Sequence, residues 1–374
     1  MRRAVLVISS LGMGGAESVM AWLAAGLDSR EVAVTILTFD HGDDVPYYPL
    51  PAGVVVRHLK LSGPSLSAVG GLLNNVRRCR VLRSAILTES PDVVVSFMEQ
   101  TNVLTLLAVG GRCPVVVSER VHPMYPVGRP WAWLRRCIYG RAAALVVQTA
   151  SIGREYGWLK TAQVKVIPNA AIPSGCKEPT VRFSGPAVVG MGRLHEQKGF
   201  DILLRAFAKV AMEFPQWKLV IFGDGPKKSE LQELTTSLGL AHRVVFAGQT
   251  PTPHADLAQG DIFAFPSRFE GFPNALCEAM TIGMACVAAD CPGGPADLID
   301  DGRNGLLVPP GDVKALTETL GRLMADQPLR IRLGLQAGEV VERFSVERVM
   351  DQWEACLIEA VATNPGKRLK QCAE

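Results

Sequence analysis

Short, uninterrupted apolar runs alternate with longer amphipathic segments along this chain, and that alternation restricts its fold more than any other feature. In the first half the apolar runs lie at 4–9, 32–39, 92–98, 114–118 and 143–148. Runs without polar alternation are typical of parallel strands that helices cover on both faces. The amphipathic segments that predict helices lie at 16–27, 72–87 and 131–139. The pattern therefore predicts an α/β fold with doubly wound parallel sheets.

The alternation restarts after the run at 164–170, which indicates a second domain. Its apolar runs lie at 187–192, 218–223, 243–248, 261–267 and 285–290. We expect two Rossmann-like domains, 1–170 and 187–345, joined by a polar linker at 171–186 and facing a central cleft. A long amphipathic helix at about 346–363 is expected to pack back on the first domain, and the tail 364–374 to be frayed. In such sheets ligands bind beyond the carboxyl ends of the strands.

The cysteines and the apolar runs together predict a cytoplasmic protein without a membrane span. The nine cysteines are an odd number and include no Cys-x-x-Cys pair, which fits neither a disulfide framework nor a zinc ribbon. The N-terminal apolar run is broken by Ser9 and Ser10, so it is interpreted as a first strand rather than a signal peptide. No stretch of about 18 apolar residues runs uninterrupted.

Positive charge is concentrated in the first half of the chain. Residues 1–170 carry 18 Lys and Arg against 11 Asp and Glu, whereas the remainder carries 21 against 25. Ten basic or tryptophan residues form two groups: Arg77, Arg78, Arg80, Arg83, Arg129, Trp131, Trp133, Arg135, Arg136 and Arg141. Basic helices with tryptophan suit an anionic bilayer or a pyrophosphate-linked lipid, and a solvated surface is the alternative. Nucleic-acid binding is not expected, because no recognised module accompanies the charge.

Two glutamates, Glu270 and Glu278, lie in a predicted strand–loop–helix segment at 267–290. Glu270 falls in the loop before the helix and Glu278 inside the helix. Free N–H groups at the start of that helix favour binding of a phosphate, and they belong to Asn274, Ala275 and Leu276. The alternative interpretation is a strand–helix connection with two solvated glutamates.

Basic and glycine-rich loops precede two other helices of the second domain. Arg193 and Lys198 bracket the loop that leads into the helix at 200–211, and a guanidinium with an ammonium there can clamp a diphosphate. Gly223 and Gly225 permit a tight turn and close approach of a ligand. Solvated turns are the alternative interpretation of both loops.

A glycine loop at 9–18 follows the first strand. Gly12 and Gly14 suggest a dinucleotide fingerprint, but Glu17 stands at its third glycine position. Another loop, at 115–123, follows a strand of the same domain and contains a lone histidine, which is more often structural than catalytic.

In combination these segments resemble the family-4 glycosyltransferases of the GT-B fold. The segments that match are GGAE at 14–17, G-R-x4-K-G at 192–199, FGDGP at 222–226, E-G-F-x3-L-x-E at 270–278, PGG at 292–294 and DGxNGxLVPPGD at 301–312. Within that family the sequence is similar to the bacterial enzymes that build exopolysaccharide repeats or lipid-linked oligosaccharides.

The resemblance implies a retaining transfer of a hexosyl or N-acetylhexosaminyl group from a nucleotide diphosphate sugar, and a UDP-sugar is the expected donor. It implies that Arg193 and Lys198 hold the diphosphate, and that the backbone N–H groups at 274–276 assist the leaving phosphate. Glu278 would accept hydrogen bonds from the ribose hydroxyls. Glu270 would contact the transferred sugar, either during attack on the face of the departing phosphate or as a covalent nucleophile.

The resemblance also implies roles in the first domain. Gly14 and Gly15 would bring the backbone close to the donor phosphates and the sugar. His122 would orient the sugar or assist the acceptor hydroxyl. Many relatives place that histidine where Arg120 or its neighbour stands, so the choice between Arg120 and His122 stays open. Glu119 and Arg120 are further candidates for the acceptor pocket.

The chain contains no Asp-x-Asp pair, and the cations of the donor site can themselves stabilise the leaving diphosphate. We therefore expect neither a metal nor a cofactor, with the nucleotide sugar as co-substrate. The expected acceptor is a saccharide or a polyprenyl-diphosphate-linked saccharide, met at the inner face of the cell membrane. The alternatives are a nucleotide-sugar epimerase or NAD-linked oxidoreductase of similar architecture, and a non-catalytic carbohydrate- or membrane-binding module.

Overall fold

The computed structural model describes residues 1–42, 45–63, 68–123, 128–160, 163–172, 178–182 and 184–363, and it describes no side chains at 68 and 69. The chain divides into two compact units. The first contains Met1–Pro168 together with the chain from Glu347 onward, and the second is Asn169–Val346. The predicted tail at 364–374, and residues 173–177 and 183 of the predicted linker, lie outside the described residues.

The first unit is built on a parallel sheet of seven strands. These are β1 (Arg3–Ile8), β2 (Ala33–Thr38), β3 (Val55–His58), β4 (Val93–Phe97), β5 (Val115–Ser118), β6 (Ala144–Val147) and β7 (Val164–Val166). Their order across the sheet is β3-β2-β1-β4-β5-β6-β7. All residues of β4, β5 and β6 are buried, as their continuous apolar runs predict.

Helices cover this sheet and follow most of its strands. They are α1 (Gly15–Asp28), α2 (Ala68–Glu89), α3 (Glu99–Val109), α4 (Arg129–Ile138) and α5 (Ala150–Glu155), with a 3-10 turn at Tyr139–Arg141. A Thr149 side chain caps α5 by accepting a hydrogen bond from the Ile152 N–H. Both α2 and α4 pack against α3, so the two basic segments are carried by helices that flank the same neighbour.

The second unit contains a parallel sheet of six strands. They are β8 (Ala187–Met191), β9 (Lys218–Phe222), β10 (Val244–Gly248), β11 (Ile262–Phe265), β12 (Ala285–Ala289) and β13 (Leu306–Val308). Their order is β10-β9-β8-β11-β12-β13. The fold class predicted from the sequence is confirmed, because both sheets are parallel and carry helices in the order of a doubly wound fold.

Eight helices belong to the described part of the second unit. They are α6 (Phe200–Val210), α7 (Lys228–Ser237), α8 (Pro253–Leu257), α9 (Asn274–Thr281), α10 (Pro295–Leu298), α11 (Val313–Ala325), α12 (Gln327–Ala337) and α13 (Val340–Arg343), with a 3-10 turn at Glu196–Lys198. The described part of the predicted linker is tied into this unit. Asp256 on α8 is fully buried and accepts hydrogen bonds from the N–H groups of Thr180 and Val181 at 2.7 and 3.2 Å.

The last helix, α14 (Val346–Ala362), completes the first unit. Its Trp353 is fully buried, with its ring 6.1 Å from that of Phe97 at the end of β4. Arg30, just after α1, forms ion pairs with Asp351 and Glu354 of the helix. The chain therefore leaves the second unit and returns to the core of the first.

Two strands were not predicted from the sequence. The edge strand β3 has four residues of alternating exposure and includes an arginine and a histidine, so it lacks a continuous apolar run. The strand β13 has only three residues. Throughout the described ranges, no helix combines the length and the apolar character that crossing a membrane would require. The seven cysteines that the structure describes are all free thiols.

Candidate active site

Three loops of the second unit meet at one edge of its sheet. They follow β8, β11 and β12, which are adjacent parallel strands, so their carboxyl ends lie side by side. Backbone hydrogen bonds join two of them: the Glu270 N–H in the β11 loop donates to the Pro292 carbonyl in the β12 loop at 2.8 Å. This edge carries most of the residues that the sequence predicts for a donor site.

Lys198 and Glu270 form an ion pair across two of these loops. The Lys198 Nζ lies 2.7 Å from Glu270 Oε1, and the Glu270 residue is only 4% exposed. The ammonium also lies 5.4 Å from the centre of the Phe265 ring. Two residues separated by 72 positions are thus brought together, with a buried carboxylate neutralised by a single cation.

Glu278 is the fifth residue of α9, inside the helix as the sequence predicts, and it is half-buried. Burial raises the pKa of its carboxyl to about 7, although attraction to Lys198 lowers it. This glutamate is therefore poised to change its charge near neutral pH. A ligand that donates hydrogen bonds to this carboxyl would stabilise its ionised form.

The start of α9 differs in one respect from the prediction. The Asn274 N–H donates to the Phe272 carbonyl at 2.9 Å, so it is not free to bind a phosphate. The Asn274 side chain instead accepts a hydrogen bond from Asn169 at 2.8 Å. Within the ranges that the structure describes, the N–H groups of Ala275 and Leu276 meet no acceptor. Two of the three predicted donors thus remain available.

Arg193 lies on the same loop as Lys198, and Gly225 lies on the loop after β9, but neither is joined to the Lys198–Glu270 pair in the described part of the chain. The Arg193 side chain is exposed, and it forms no ion pair or hydrogen bond in the described part of the chain. A Cβ added at Gly225 would lie 2.5 Å from the Leu194 carbonyl. This glycine therefore lets the loop after β9 pack against the loop of Arg193, whereas the sequence predicted that its small size serves a ligand.

Sequence reasoning missed three residues that join the loops of Lys198 and Glu270. Arg268 pairs with Asp201 through two hydrogen bonds of 2.8 Å, and Gln197 donates to the Phe269 carbonyl at 2.8 Å. The opposite charges of Arg268 and Asp201, placed after two strands that the fold makes neighbours, were the signal that could have revealed the pair.

In the first unit, Glu119 is enclosed by polar groups rather than placed at the surface. It is 2% exposed, and its carboxylate accepts hydrogen bonds from the Tyr139 hydroxyl and, at 3.5 Å, from Asn102. Burial raises the pKa of this carboxyl to about 7, against the hydrogen bond from Tyr139. The Glu119 carboxylate is therefore held by groups of its own unit, and its part in an acceptor pocket stays a prediction.

Arg120 and His122 follow β5 in different environments. The Arg120 guanidinium lies 4.2 Å from the centre of the Phe97 ring and 5.5 Å from that of Trp353, and burial lowers its pKa to about 9. His122 is 4% exposed, and burial lowers the pKa of its imidazole while Glu155 raises it. Arg120 therefore packs between Phe97 of β4 and Trp353 of α14, and His122 is a buried histidine on the same loop.

The glycine loop of the first unit leads directly into α1. Gly14 is the N-cap residue of that helix in an extended conformation, and Gly15 is its first residue and is exposed. The Glu17 carboxylate folds back to within 2.2 Å of the position that a Gly14 Cβ would occupy. Burial raises the pKa of Glu17, while its own backbone N–H lowers it. The Glu17 carboxyl thus lies beside Gly14 at the start of α1.

The predicted basic surface divides into exposed and structural residues. Arg78 donates to the carbonyls of Leu61 and Gly63 at 3.1 Å, and Arg135 pairs with the buried Glu99 at 3.1 Å. Trp131 packs against the core of the unit. These three predicted membrane or acceptor residues therefore serve the fold. The exposed members of the set are Arg77, Arg80, Arg129, Trp133, Arg136 and Arg141.

The structure also bears on metal binding. Over the described ranges, no three or more side chains of histidine, cysteine, aspartate or glutamate gather in a group that suits a metal ion. Glu270 and Glu278 are instead associated with a cation, the Lys198 ammonium.

Two family profiles match the chain, and between them they span most of it. Residues 14–170 match the glycosyl transferase 4-like domain, and residues 185–326 match the glycosyl transferases of group 1. The two parallel-sheet units described above are consistent with these glycosyltransferase profiles. The chain belongs to the group 1 glycosyltransferases, and its fold is GT-B.

Curated relatives are similar over different shares of the chain. An exopolysaccharide phosphotransferase of Streptomyces coelicolor is 38% identical over 60% of this chain, which spans only 24% of that relative. An α-1,4-N-acetyl-D-galactosaminyltransferase of Campylobacter jejuni is 28% identical, with 94% of this chain and 97% of that protein covered. The name of the latter gives its acceptor as a diNAcBac-PP-undecaprenol carrying two GalNAc residues.

Solved structures share the whole fold at low sequence identity. Sucrose-phosphate synthase of Thermosynechococcus elongatus superposes with a TM-score of 0.81 at 17% identity, covering 97% of this chain and all of that one. The Anabaena protein HepE, crystallised with UDP and glucose, gives a TM-score of 0.75 at 21% identity, covering 96% of this chain and 99% of that one. Membership of this family favours a transferase over the epimerase, oxidoreductase and non-catalytic alternatives.

Proposed function

We propose that this protein is a retaining glycosyltransferase that moves a hexosyl or N-acetylhexosaminyl group from a UDP-sugar to a saccharide or polyprenyl-diphosphate-linked saccharide. The observation that carries the proposal is the Lys198–Glu270 ion pair, with Glu278 on the following helix α9, within the segment that matches the group 1 glycosyltransferase profile. The reaction is part of bacterial polysaccharide or lipid-linked oligosaccharide synthesis. Support comes from the names of several relatives, which refer to an exopolysaccharide or to saccharides linked to undecaprenol.

The donor half of the reaction follows from the charges on these loops. As the bond to the sugar breaks, negative charge grows on the diphosphate, and the cations of Lys198 and Arg193 stabilise it. Among the residues that the structure describes, the exposed Arg193 side chain has no partner that it must leave to reach a ligand. The N–H groups of Ala275 and Leu276 at the start of α9 add two further donors. The Glu278 carboxylate accepts the hydrogen bonds of the ribose hydroxyls.

The sugar half assigns Glu270 to the hydroxyls of the transferred sugar and His122 to the acceptor. The Glu270 carboxylate, which pairs with Lys198, also stabilises the positive charge that develops on the sugar ring. Gly14 and Gly15 present backbone to the donor. UDP is proposed as the nucleotide because HepE, which shares the fold, was crystallised with UDP and with UDP-glucose.

The transfer is proposed to need no metal. Divalent ions in transferases neutralise the leaving diphosphate, and in this protein Arg193, Lys198 and the α9 amides supply that charge. Transfer should therefore continue at an unchanged rate in excess EDTA. Loss of transfer in EDTA that is restored by added Mg²⁺ or Mn²⁺ would refute this part of the proposal.

Peripheral binding to an anionic membrane from the cytoplasmic side is proposed for the exposed basic surface. Trp133 on α4 is 66% exposed, and Leu72 and Leu73 on α2 are 66% and 64% exposed beside Arg77 and Arg80. An apolar side chain among arginines suits the headgroup region of a bilayer.

Co-sedimentation with vesicles tests this membrane proposal. The protein should bind phosphatidylglycerol vesicles and not phosphatidylcholine vesicles. Replacing Trp133 and Arg136 by alanine should weaken that binding, whereas Lys314→Ala on the second unit, a largely exposed lysine, should not. Equal binding to both kinds of vesicle, or no binding to either, would contradict the proposal.

A thermal-shift screen tests the donor assignment. UDP and a panel of UDP-sugars should raise the melting temperature, whereas NAD should not. The Glu278→Ala variant should lose most of the UDP shift. Stabilisation by NAD, or acceptor-independent isomerisation of the sugar, would favour the epimerase or oxidoreductase alternative.

A further inference from the structure

The loops of Lys198 and Glu270 are held together by more than their own ion pair. They follow β8 and β11, which pair directly in the sheet. The most extensive link between them is Arg268, whose guanidinium forms a two-pronged pair with Asp201 on the first turn of α6. Both hydrogen bonds measure 2.8 Å and join matching atoms of the two forks.

The same arginine also fixes the backbone of the Lys198 loop. Its Nη1 donates to the Glu196 carbonyl at 2.8 Å, and its backbone N–H donates to the Gln197 carbonyl at 2.8 Å. In the other direction, Gln197 Nε2 donates to the Phe269 carbonyl at 2.8 Å and lies 3.4 Å from Glu270 Oε2. The residues next to Lys198 and to Glu270 are thus bonded to one another.

The Arg268–Asp201 pair is only partly buried. The Arg268 side chain is 34% exposed and that of Asp201 37%. Burial raises the pKa of Asp201, but the hydrogen bonds and charge of Arg268 outweigh it and hold that pKa below its usual range. Pairs at this exposure contribute little to global stability. A planar fork nevertheless fixes distance and angle in a way that a lysine ammonium does not.

We propose that Arg268, through Asp201, is a positioning residue that sets the spacing between Lys198 and Glu270. The inference deepens the proposed function and rests on it: Lys198 holds the diphosphate, Glu270 holds the sugar, and the bond between these two parts of the donor is the one that breaks. A displacement of either group by about 1 Å can cost a hundredfold in rate. Arg268 touches neither the donor nor the acceptor in this account.

The test is a double-mutant cycle with Arg268→Lys and Asp201→Asn, measured as UDP release from the nucleotide sugar of the panel that the wild type turns over. Each single variant should lower kcat about tenfold and change the donor KM less than threefold, because spacing matters most in the transition state. The double variant should be no slower than either single variant, since both remove the same link.

Two results would overturn the proposal. One is an unchanged kcat in variants that only melt at a lower temperature, since a merely structural role would act in that way. The other is a hundredfold loss in the double variant, which would show two independent effects. Arg30→Lys is the matched control, because the Arg30 guanidinium is likewise half-buried and bonded through both Nη atoms to carboxylate oxygens, those of Asp351 and Glu354 in the first unit. It should leave kcat unchanged.

A measurement without substrate separates this inference from the proposed function. The backbone N–H at position 268 donates to the Gln197 carbonyl in the wild type. In Arg268→Lys, hydrogen exchange of this backbone amide should become at least tenfold faster than in the wild type and in Arg30→Lys. Unchanged exchange would refute the link between the loops even if transfer is found. Faster exchange in a protein that neither binds nor turns over any nucleotide sugar would support the link and refute the proposed function.

Discussion

At the scale of single residues, the central feature is a buried carboxylate with one cationic partner. Glu270 is 4% exposed, and the Lys198 side chain is 20% exposed. Removing the lysine leaves an uncompensated charge in the interior, whereas removing the carboxylate leaves an ammonium that can reach water. The two halves of the pair are therefore not equivalent.

Lys198→Met should destabilise the second unit by roughly 2–4 kcal/mol, and Glu270→Gln by less. Transfer should fall about 100-fold or more in Lys198→Met, because the leaving diphosphate loses a cation. Denaturant unfolding and UDP release measure the two effects. Lys314→Met, which removes an exposed lysine of the same unit, is the control and should change neither. An equally stable Lys198→Met variant would contradict the account of the pair.

Glu278 should make donor binding depend on pH. Burial raises the pKa of Glu278 to about 7, so below that pH the free protein holds a proton on this carboxyl. The ribose hydroxyls donate best to the ionised form. Binding of the donor must therefore release the proton at low pH, which weakens binding. The affinity for UDP-glucose should therefore fall about tenfold from pH 8 to pH 6 and stay level above pH 8.

Isothermal titration with UDP-glucose from pH 5 to 9 measures this dependence. UDP-glucose is preferred to UDP because its phosphates do not titrate in that range. In Glu278→Gln the affinity should be lower at pH 8 and independent of pH. A wild-type affinity that rises as the pH falls would have the wrong sign for a ribose-binding carboxylate.

Sequence motifs predicted Lys198, Glu270 and Glu278 but not the groups that hold them. Arg268 and Asp201 are 67 positions apart, and Glu119 and Tyr139 are 20 apart. Pairs of this kind depend on which strands become neighbours, and strand order is not encoded in any local pattern. Arg78 and Arg135 show the converse, because a basic residue in a charged segment gives no sign that it is bonded to other groups of its own unit.

At the scale of elements, the loop between β8 and α6 depends on a glycine at its end. Gly199 has φ of +64°, and a Cβ there would lie 2.1 Å from the Pro266 carbonyl in the loop of Glu270. The close approach of the two loops therefore requires the absence of a side chain as well as a left-handed backbone.

Gly199→Ala should combine a backbone cost of roughly 1–2 kcal/mol with a packing cost of roughly 1–3 kcal/mol. Gly239→Ala is a matched control, because Gly239 has φ of +72° but no atom within 4 Å of the added Cβ, so only the backbone cost applies. Comparison of the free energies of unfolding isolates the contact between the loops. Equal losses in the two variants would contradict a tight approach at Pro266.

The elements also show where sequence patterns succeed. Buried central strands such as β4 and β5 are continuous apolar runs, and no bound of either strand differs from the prediction by more than one residue. The strands β3 and β13 were not predicted from the sequence. The edge strand β3 is half exposed, and β13, with three residues, is too short to show a periodic pattern.

At the scale of the whole molecule, α14 returns the chain to the core of the first unit. Trp353 is fully buried beside Phe97 and lies 5.5 Å from the Arg120 guanidinium. The loop that carries Arg120 and His122 is thus supported by the last helix of the chain. The function of that loop is therefore coupled to a residue more than 200 positions away.

Trp353→Ala should lower the stability of the first unit by roughly 3–5 kcal/mol, because it leaves a large cavity beside β4. Ile358→Ala, on the same helix but 51% exposed, should cost less than about 0.5 kcal/mol. Amide hydrogen exchange of β4 and β5 measures the stability of this unit specifically. Faster exchange confined to the second unit would contradict the placement of α14.

Sugar transfer tests the central claim most directly. The protein is incubated with each UDP-sugar of a panel, a polyprenyl-diphosphate-linked saccharide and EDTA, and the lipid-linked product is analysed by mass spectrometry and by NMR of the new linkage. We predict one added hexose or N-acetylhexosamine with the donor's anomeric configuration, formed about 100-fold or more slowly by Lys198→Met and Glu278→Ala. Inverted configuration, or transfer at wild-type rates in both variants, would contradict the account.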